Sequence, residues 1–111
     1  MDITTSTAGH DIAVVTVAGK LNFVSSPSLR EVVASAVAAG RLRIVVDLNA
    51  VDFIDSSGLG AMISGLKTAR NAGGDLKITG AGDQVKLVLQ LTNMERVLVS
   101  ADSVDLAYPD A

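Results

Sequence analysis

The sequence predicts an α/β fold, strands and helices alternating within one domain, and three observations carry that reading. The apolar spacing switches repeatedly between the short period of strands and the i, i+3, i+4 spacing of helices. The chain has 111 residues, enough to bury one modest core. Nearly half of it is apolar (49%) but only 3% is aromatic, so that core must be built from Val, Leu, Ile and Ala. No internal repeat, low-complexity tract or linker interrupts the pattern, and residues 1–111 read as a single domain.

Each element has a local cause. Ile3 to Val17 is Thr- and Val-rich and broken by Ala8-Gly9-His10-Asp11, which predicts two strands joined by a tight turn with Gly9 available for positive φ. Gly19 is expected to close the second strand. From Ser26 onward, Leu29, Val32, Val33, Ala36 and Val37 form one helical apolar face. Two starts fit this helix: Ser26 before Pro27, or Ser28 with Glu31 as a capping box. Gly40 ends it. Arg41 to Leu48 is a near-continuous apolar run, the pattern of a strand buried on both faces. The second helix turns Leu59, Met62, Ile63 and Leu66 inward and stops at Gly73-Gly74. Asp75 to Gly80 predicts a short strand. Asp83 to Met94 predicts a third helix, capped by Asp83, with Leu87, Val88 and Leu91 inward. Arg96 to Ser100 predicts the last strand, and the tail after about residue 101 is expected to be loosely ordered. The order is β-β-α-β-α-β-α-β, and strands separated by such helices pair in parallel through right-handed crossovers.

Composition excludes several function classes. The net charge is -3 and the pI about 4.8, with Arg41, Arg43, Lys67, Arg70, Lys77 and Lys86 scattered among acids, so nucleic acid is not an expected partner. The absence of cysteine removes disulfides, thiolate catalysis and Cys-ligated metal. No apolar run approaches the roughly 18 residues of a membrane span. The first residues lack the pattern of a signal peptide, so no membrane association and a cytoplasmic location are expected. The lone histidine, His10, sits in the turn near the start of the chain, which argues against a Ser-His-Asp triad. G-x-S-x-G fails because Asp55 stands two positions before Ser57. Neither phosphate-binding glycine motif is present, and Gly58 with Gly60 does not make a cradle. Asp47, Asp52 and Asp55 cluster near one sheet end, as in a Mg²⁺-binding receiver domain. The acidic pair and lysine of a receiver, however, fall at other positions. No catalytic residue, cofactor or metal is therefore expected, and the chain reads as a binding module.

What remains is Val51 to Leu66, "VDFIDSSGLGAMISGL", where Asp55-Ser56-Ser57-Gly58 stands between a strand and a helix. Asp55 or Ser56 suits the N-cap that satisfies orphan N–H groups at the helix start. Ser56, surrounded by Ser57, Gly58 and Gly60, also suits an exposed hydroxyl that a partner can approach and an enzyme can modify. A phosphate there would add about -1.5 to -2 charges. The two readings are compatible, because a cap can also be a switch.

"FIDSSGLG" (Phe53 to Gly60) resembles the signature of STAS domains, and more narrowly that of bacterial anti-sigma factor antagonists. The likeness extends over "VAGKLNF", "RIVVDLNAVDFIDSSGLG" and "VKLVLQLTNMERVLVS". It implies a small sheet of mixed strands with helices on one main face. It also implies a protein–protein switch without catalysis of its own. Unphosphorylated, such a protein binds an anti-sigma factor that is also a serine protein kinase, and so frees the sigma factor. The kinase phosphorylates the serine after the motif aspartate, here Ser56, and the complex parts; a PP2C-type phosphatase resets it. Ser57 occupies a slot that holds Ser or Thr in the family. The implied partner-binding residues are Asn22, Asp55, Ser56, Ser57, Gly58 and Leu59. One position departs from the pattern: after "VAGKL" the family has Asp, and this chain has Asn22, which keeps the size and hydrogen-bonding capacity but not the charge. The alternative is a STAS scaffold that docks constitutively in a signalling or transport assembly. A nucleotide- or lipid-responsive STAS module is a third, for which the sequence supplies no ligand-specific residues.

Overall fold

The computed structural model describes residues 2–8 and 11–108. The elements are β1 (Asp2–Thr7), β2 (Ile12–Leu21), α1 (Ser26–Ala38), β3 (Arg43–Ile54), α2 (Ser56–Asn71), β4 (Asp75–Thr79), α3 (Asp83–Leu91), a 3-10 turn (Met94–Arg96), β5 (Ser100–Ala101) and α4 (Val104–Ala107). The sheet order is β1-β2-β3-β4-β5, with β1 antiparallel to β2 and the remaining pairs parallel. From β2 onward each strand is added on the same side of its predecessor. Crossovers of one hand then place their helices on one face. The packing agrees: Leu29 and Val33 of α1, Met62 and Leu66 of α2, and Val85 and Leu89 of α3 share one core with Val15, Val17, Ile44, Val46 and Ile78.

Strand alternation sends Val45 to the opposite face, where it meets Ile12, Val14 and Ala107. The sheet centre is therefore covered on both sides, as the apolar run through β3 requires. On this second face the Tyr108 hydroxyl donates to the Ile44 carbonyl at 2.8 Å, and Lys77 Nζ lies 4.8 Å from the ring centroid. Lys77 Nζ also donates to the Ala107 carbonyl at 2.7 Å. Burial, reinforced by the Asp75 charge, holds the Tyr108 phenol well above its usual range. No helix among the described residues is long and apolar enough to cross a membrane.

The structure corrects several local expectations. Gly19 does not close the second strand: at φ 93 it sits at an irregularity within β2, and pairing with β3 resumes at Lys20 and Leu21. The third strand runs on through the motif to Ile54 because those β2 residues remain beside it. Helix α1 starts at Ser26, with Ser25 at its N-cap and Pro27 in its first turn, which is the Ser26–Pro27 start to within one residue and not the Ser28–Glu31 box. Ile63 is half-buried at the core margin, whereas Leu59, Met62 and Leu66 are buried as expected. In α3, Asp83 follows the N-cap Gly82 and caps nothing. Leu87 and Leu91 face solvent, and Val85 and Leu89 pack inward with Val88 partly buried. Two apolar i, i+4 pairs compete in that helix, and periodicity alone cannot rank them. Of the expected strand Arg96 to Ser100 only Ser100 is in strand, joined by Ala101; Arg96 ends the 3-10 turn that follows Asn93 (φ 59), and Val97 to Val99 are irregular. The described part of the expected loose tail, through Tyr108, carries α4 against the sheet, and residues 109–111 lie outside the described residues. Gly9 and His10 lie outside the described residues.

Candidate functional site

Strand β3 delivers Asp55 to the start of α2. Leu21 pairs with Ile54, and its carbonyl accepts the Asp55 N–H at 3.3 Å. Beyond Asp47, β3 has outrun its pairing with β4. There Gln84 of α3 clasps Ile54: Oε1 accepts the Ile54 N–H at 2.8 Å, and Nε2 donates to its carbonyl at 2.9 Å. The side-chain amide thus pairs with the strand as a peptide would.

Asp55 then caps α2 from an extended backbone. Its Oδ1 accepts the Gly58 N–H at 2.9 Å, and its Oδ2 accepts the Phe23 N–H at 3.2 Å. Ser56 follows, exposed, as the first residue of the helix; Ser57 is half-buried. Gly58 is buried, and a Cβ there would collide with the Leu21 carbonyl. The close packing of helix against strand requires glycine. Leu59, expected to face a partner, is buried in the core at 7% exposure.

The second half of the site is the turn between β2 and α1. Its N–H groups are satisfied in sequence. Asn22 donates to Ser25 Oγ at 2.9 Å, Phe23 to Asp55 Oδ2, and Val24 to Asn22 Oδ1 at 3.1 Å. The Ser25 and Ser26 N–H groups both donate to the Asn22 carbonyl, at 3.2 and 2.8 Å. Asn22 is therefore the hub of the turn. These roles need an acceptor side chain, which Asn supplies as well as Asp. Ser25 and Ser26 are buried, and the Ser26 hydroxyl donates to the Asn22 carbonyl at 2.6 Å. Phe23 and Val24 stand out in solvent, beside a shallow depression lined by Gly19, Lys20, Asn22, Val24, Ser25 and Asp52.

The fold thus joins Asn22 to the Asp55–Leu59 stretch through the Phe23–Asp55 hydrogen bond. Two participants were not anticipated. Phe23 is one of only two phenylalanines in an aromatic-poor chain, which was a usable signal. Gln84 offered none, because a lone glutamine near a helix start is unremarked. Two of the acidic trio near the sheet end, Asp47 and Asp55, are engaged locally, and Asp52 is exposed. Asp47 Oδ1 accepts from the Asn49 N–H and Nδ2 at 2.9 and 2.8 Å, and Asp55 caps α2. Among the described residues no three carboxylates or imidazoles gather where they could hold a metal.

Comparison with known proteins places this geometry. The STAS domain family matches residues 4–107. The anti-sigma-B factor antagonist of Bacillus subtilis (strain 168) is 32% identical over 91 residues, covering 80% of this chain and 82% of that protein. The crystal structure of an anti-sigma factor antagonist from Mycobacterium paratuberculosis superposes with a TM-score of 0.80 at 26% identity, over 97% of this chain and 92% of that one. The anti-sigma factor antagonist SpoIIAA in its unphosphorylated form shares the fold, with a TM-score of 0.73 at 16% identity over 94% of this chain and 91% of that one. With the capped Asp-Ser-Ser-Gly junction set at the end of such a sheet, the chain belongs to the STAS domain family.

Proposed function

We propose that this chain is an anti-sigma factor antagonist that works by partner switching. Its unphosphorylated form binds an anti-sigma factor with serine kinase activity and frees the sigma factor. Phosphorylation of Ser56 ends that complex, and a PP2C-type phosphatase restores it. Asn22, Asp55, Ser56, Ser57 and Gly58 form the contact surface in this reading, with Leu59 supporting it from below. The observation that carries the reading is the position of Ser56: exposed on the first turn of α2, while Asp55 alone performs the capping.

The physics of the switch follows from that position. A phosphate at a helix N-terminus is locally favoured by the dipole and by the unpaired first-turn N–H groups. Modification therefore leaves the fold intact. A partner closing over Ser56, Ser57 and Gly58 would instead have to desolvate a doubly charged group beside Asp55. That costs several kcal/mol, and about 3 kcal/mol already weakens binding more than a hundredfold. Release thus needs no large rearrangement.

The test is incubation with purified anti-sigma kinases of the source organism and ATP. One phosphate should be added, located on Ser56 by mass spectrometry. Ser57→Ala should remain a substrate, Ser56→Ala should stay bound in the presence of ATP, and Ser56→Asp should bind weakly. Binding that ignores both ATP and Ser56→Asp would identify a constitutive docking scaffold instead.

A further inference from the structure

We propose that Phe23 and Val24 are the apolar anchors of the partner complex, entering an apolar recess that the anti-sigma factor carries beside its contact with Ser56. This deepens the reading above and rests on it. The anchors supply affinity, and Ser56 supplies the switching.

Phe23 and Val24 are 71% and 72% exposed, and they are adjacent in sequence. Such outward apolar chains are ordinary on a loose loop, but this turn is not loose. From Asn22 to Ser26 each backbone N–H has an acceptor, provided by Asn22, Ser25 or Asp55. The Ser25 hydroxyl also donates to the Lys20 carbonyl at 3.0 Å, tying the turn to the strand behind it. Two large apolar side chains are therefore carried on a preorganised backbone, and docking orders little that was free. Rigid aromatic anchors of this kind dominate binding energy in protein interfaces.

The occupant follows from continuity and charge. One carboxylate oxygen of Asp55 holds the Phe23 N–H, while the other holds the Gly58 N–H in the first turn that begins with Ser56. The anchors and the modifiable hydroxyl are thus positioned by a single side chain, and a partner seated on one abuts the other. An anionic lipid surface fits poorly, because Asp52 and Asp55 flank the same region against the single lysine of the depression, Lys20. A protein recess that is apolar for Phe23 and Val24, and that accepts a hydroxyl but not a dianion next to it, fits both features.

The test measures Phe23→Ala, Val24→Ala, the double variant and Phe23→Leu against purified anti-sigma kinases of the source organism. Phe23→Ala should raise Kd roughly thirtyfold and Val24→Ala less, with Phe23→Leu retaining most of the affinity. Their thermal midpoints should match the wild type, since both side chains are exposed. In the kinase assay KM should rise while kcat holds, because the anchors do not touch the reacting hydroxyl. Wild-type binding undiminished in the double variant would overturn the anchors while leaving the switch standing. Loss of concentration-dependent self-association in Phe23→Ala would show a self-interface and overturn the assigned occupant. Failure of wild type to bind any such kinase would overturn the functional reading, and the anchors with it.

Discussion

Two helices of this chain begin on a serine, and the two serines do opposite things. Ser26 opens α1 buried at 4% exposure, with its hydroxyl on the Asn22 carbonyl. Ser56 opens α2 exposed, after Asp55 has already taken the cap on the Gly58 N–H. Local sequence barely separates them, since "SSP" and "DSSG" both look like helix starts. The difference lies in who performs the local task. At α1 the turn folds back on itself, and Ser25 and Ser26 fill the space beneath Asn22. At α2 Asp55 provides the cap from the residue before, which relieves Ser56 of any structural duty. A side chain becomes available for chemistry when its neighbour has taken over its place in the fold.

The sharpest way to break this comparison is to disturb the seat of α2. Gly58→Ala puts a methyl group into the Leu21 carbonyl and should cost about 3 kcal/mol or more, read from the urea midpoint. Gly60→Ala, two residues on, meets only the far end of Arg30 at 3.5 Å. It should be neutral or stabilise by up to about 1 kcal/mol through helix propensity. If both glycines respond alike, the close approach of α2 to β2 is not what positions Ser56.

The next effect belongs to Asp55. Asp55→Ala removes the cap on Gly58 and the acceptor for Phe23, and should cost about 1–2 kcal/mol. Asp55→Asn keeps an acceptor and should recover most of that. The smallest effect compares the serines directly. Ser26→Ala should cost about 1 kcal/mol for its buried hydrogen bond, and Ser56→Ala less than about 0.5 kcal/mol. Equal losses in chemical denaturation would mean that the Ser56 hydroxyl is structural after all.

Legibility in the sequence followed the range of the interactions involved. The alternation of elements, the inward Leu59, Met62 and Leu66, and the Gly73 stop (φ 88) rest on local periodicity and backbone preference, and were readable. A helix start at Asp55-Ser56 was readable for the same reason, but which of the two caps it was not; the Gly58 N–H on Asp55 decides that. The inward face of α3 was not, because Val85–Leu89 and Leu87–Leu91 have the same spacing and a tertiary contact decides between them. The end of β3 was misjudged because Lys20 and Leu21, some thirty residues away, extend its pairing. The α4 segment was missed because four residues cannot announce a helix without the sheet on which Ala107 and Tyr108 rest. Asn22 was noted for a lost charge, whereas its task is to gather the N–H and hydroxyl donors of a turn.

The Gln84 clasp has a consequence for solvent exchange. A backbone amide near the end of a strand, past its last neighbour on one side, would ordinarily trade its hydrogen quickly when that end frays. The Ile54 amide stands in such a place, two residues before Ser56, and its partner is a side chain from another helix. Its exchange rate is then governed by how firmly α3 is seated rather than by the unzipping of β3. Deuterium uptake at that one amide reports from within the strand on a helix that is distant in the chain, and so on how steadily the first turn of α2 is held.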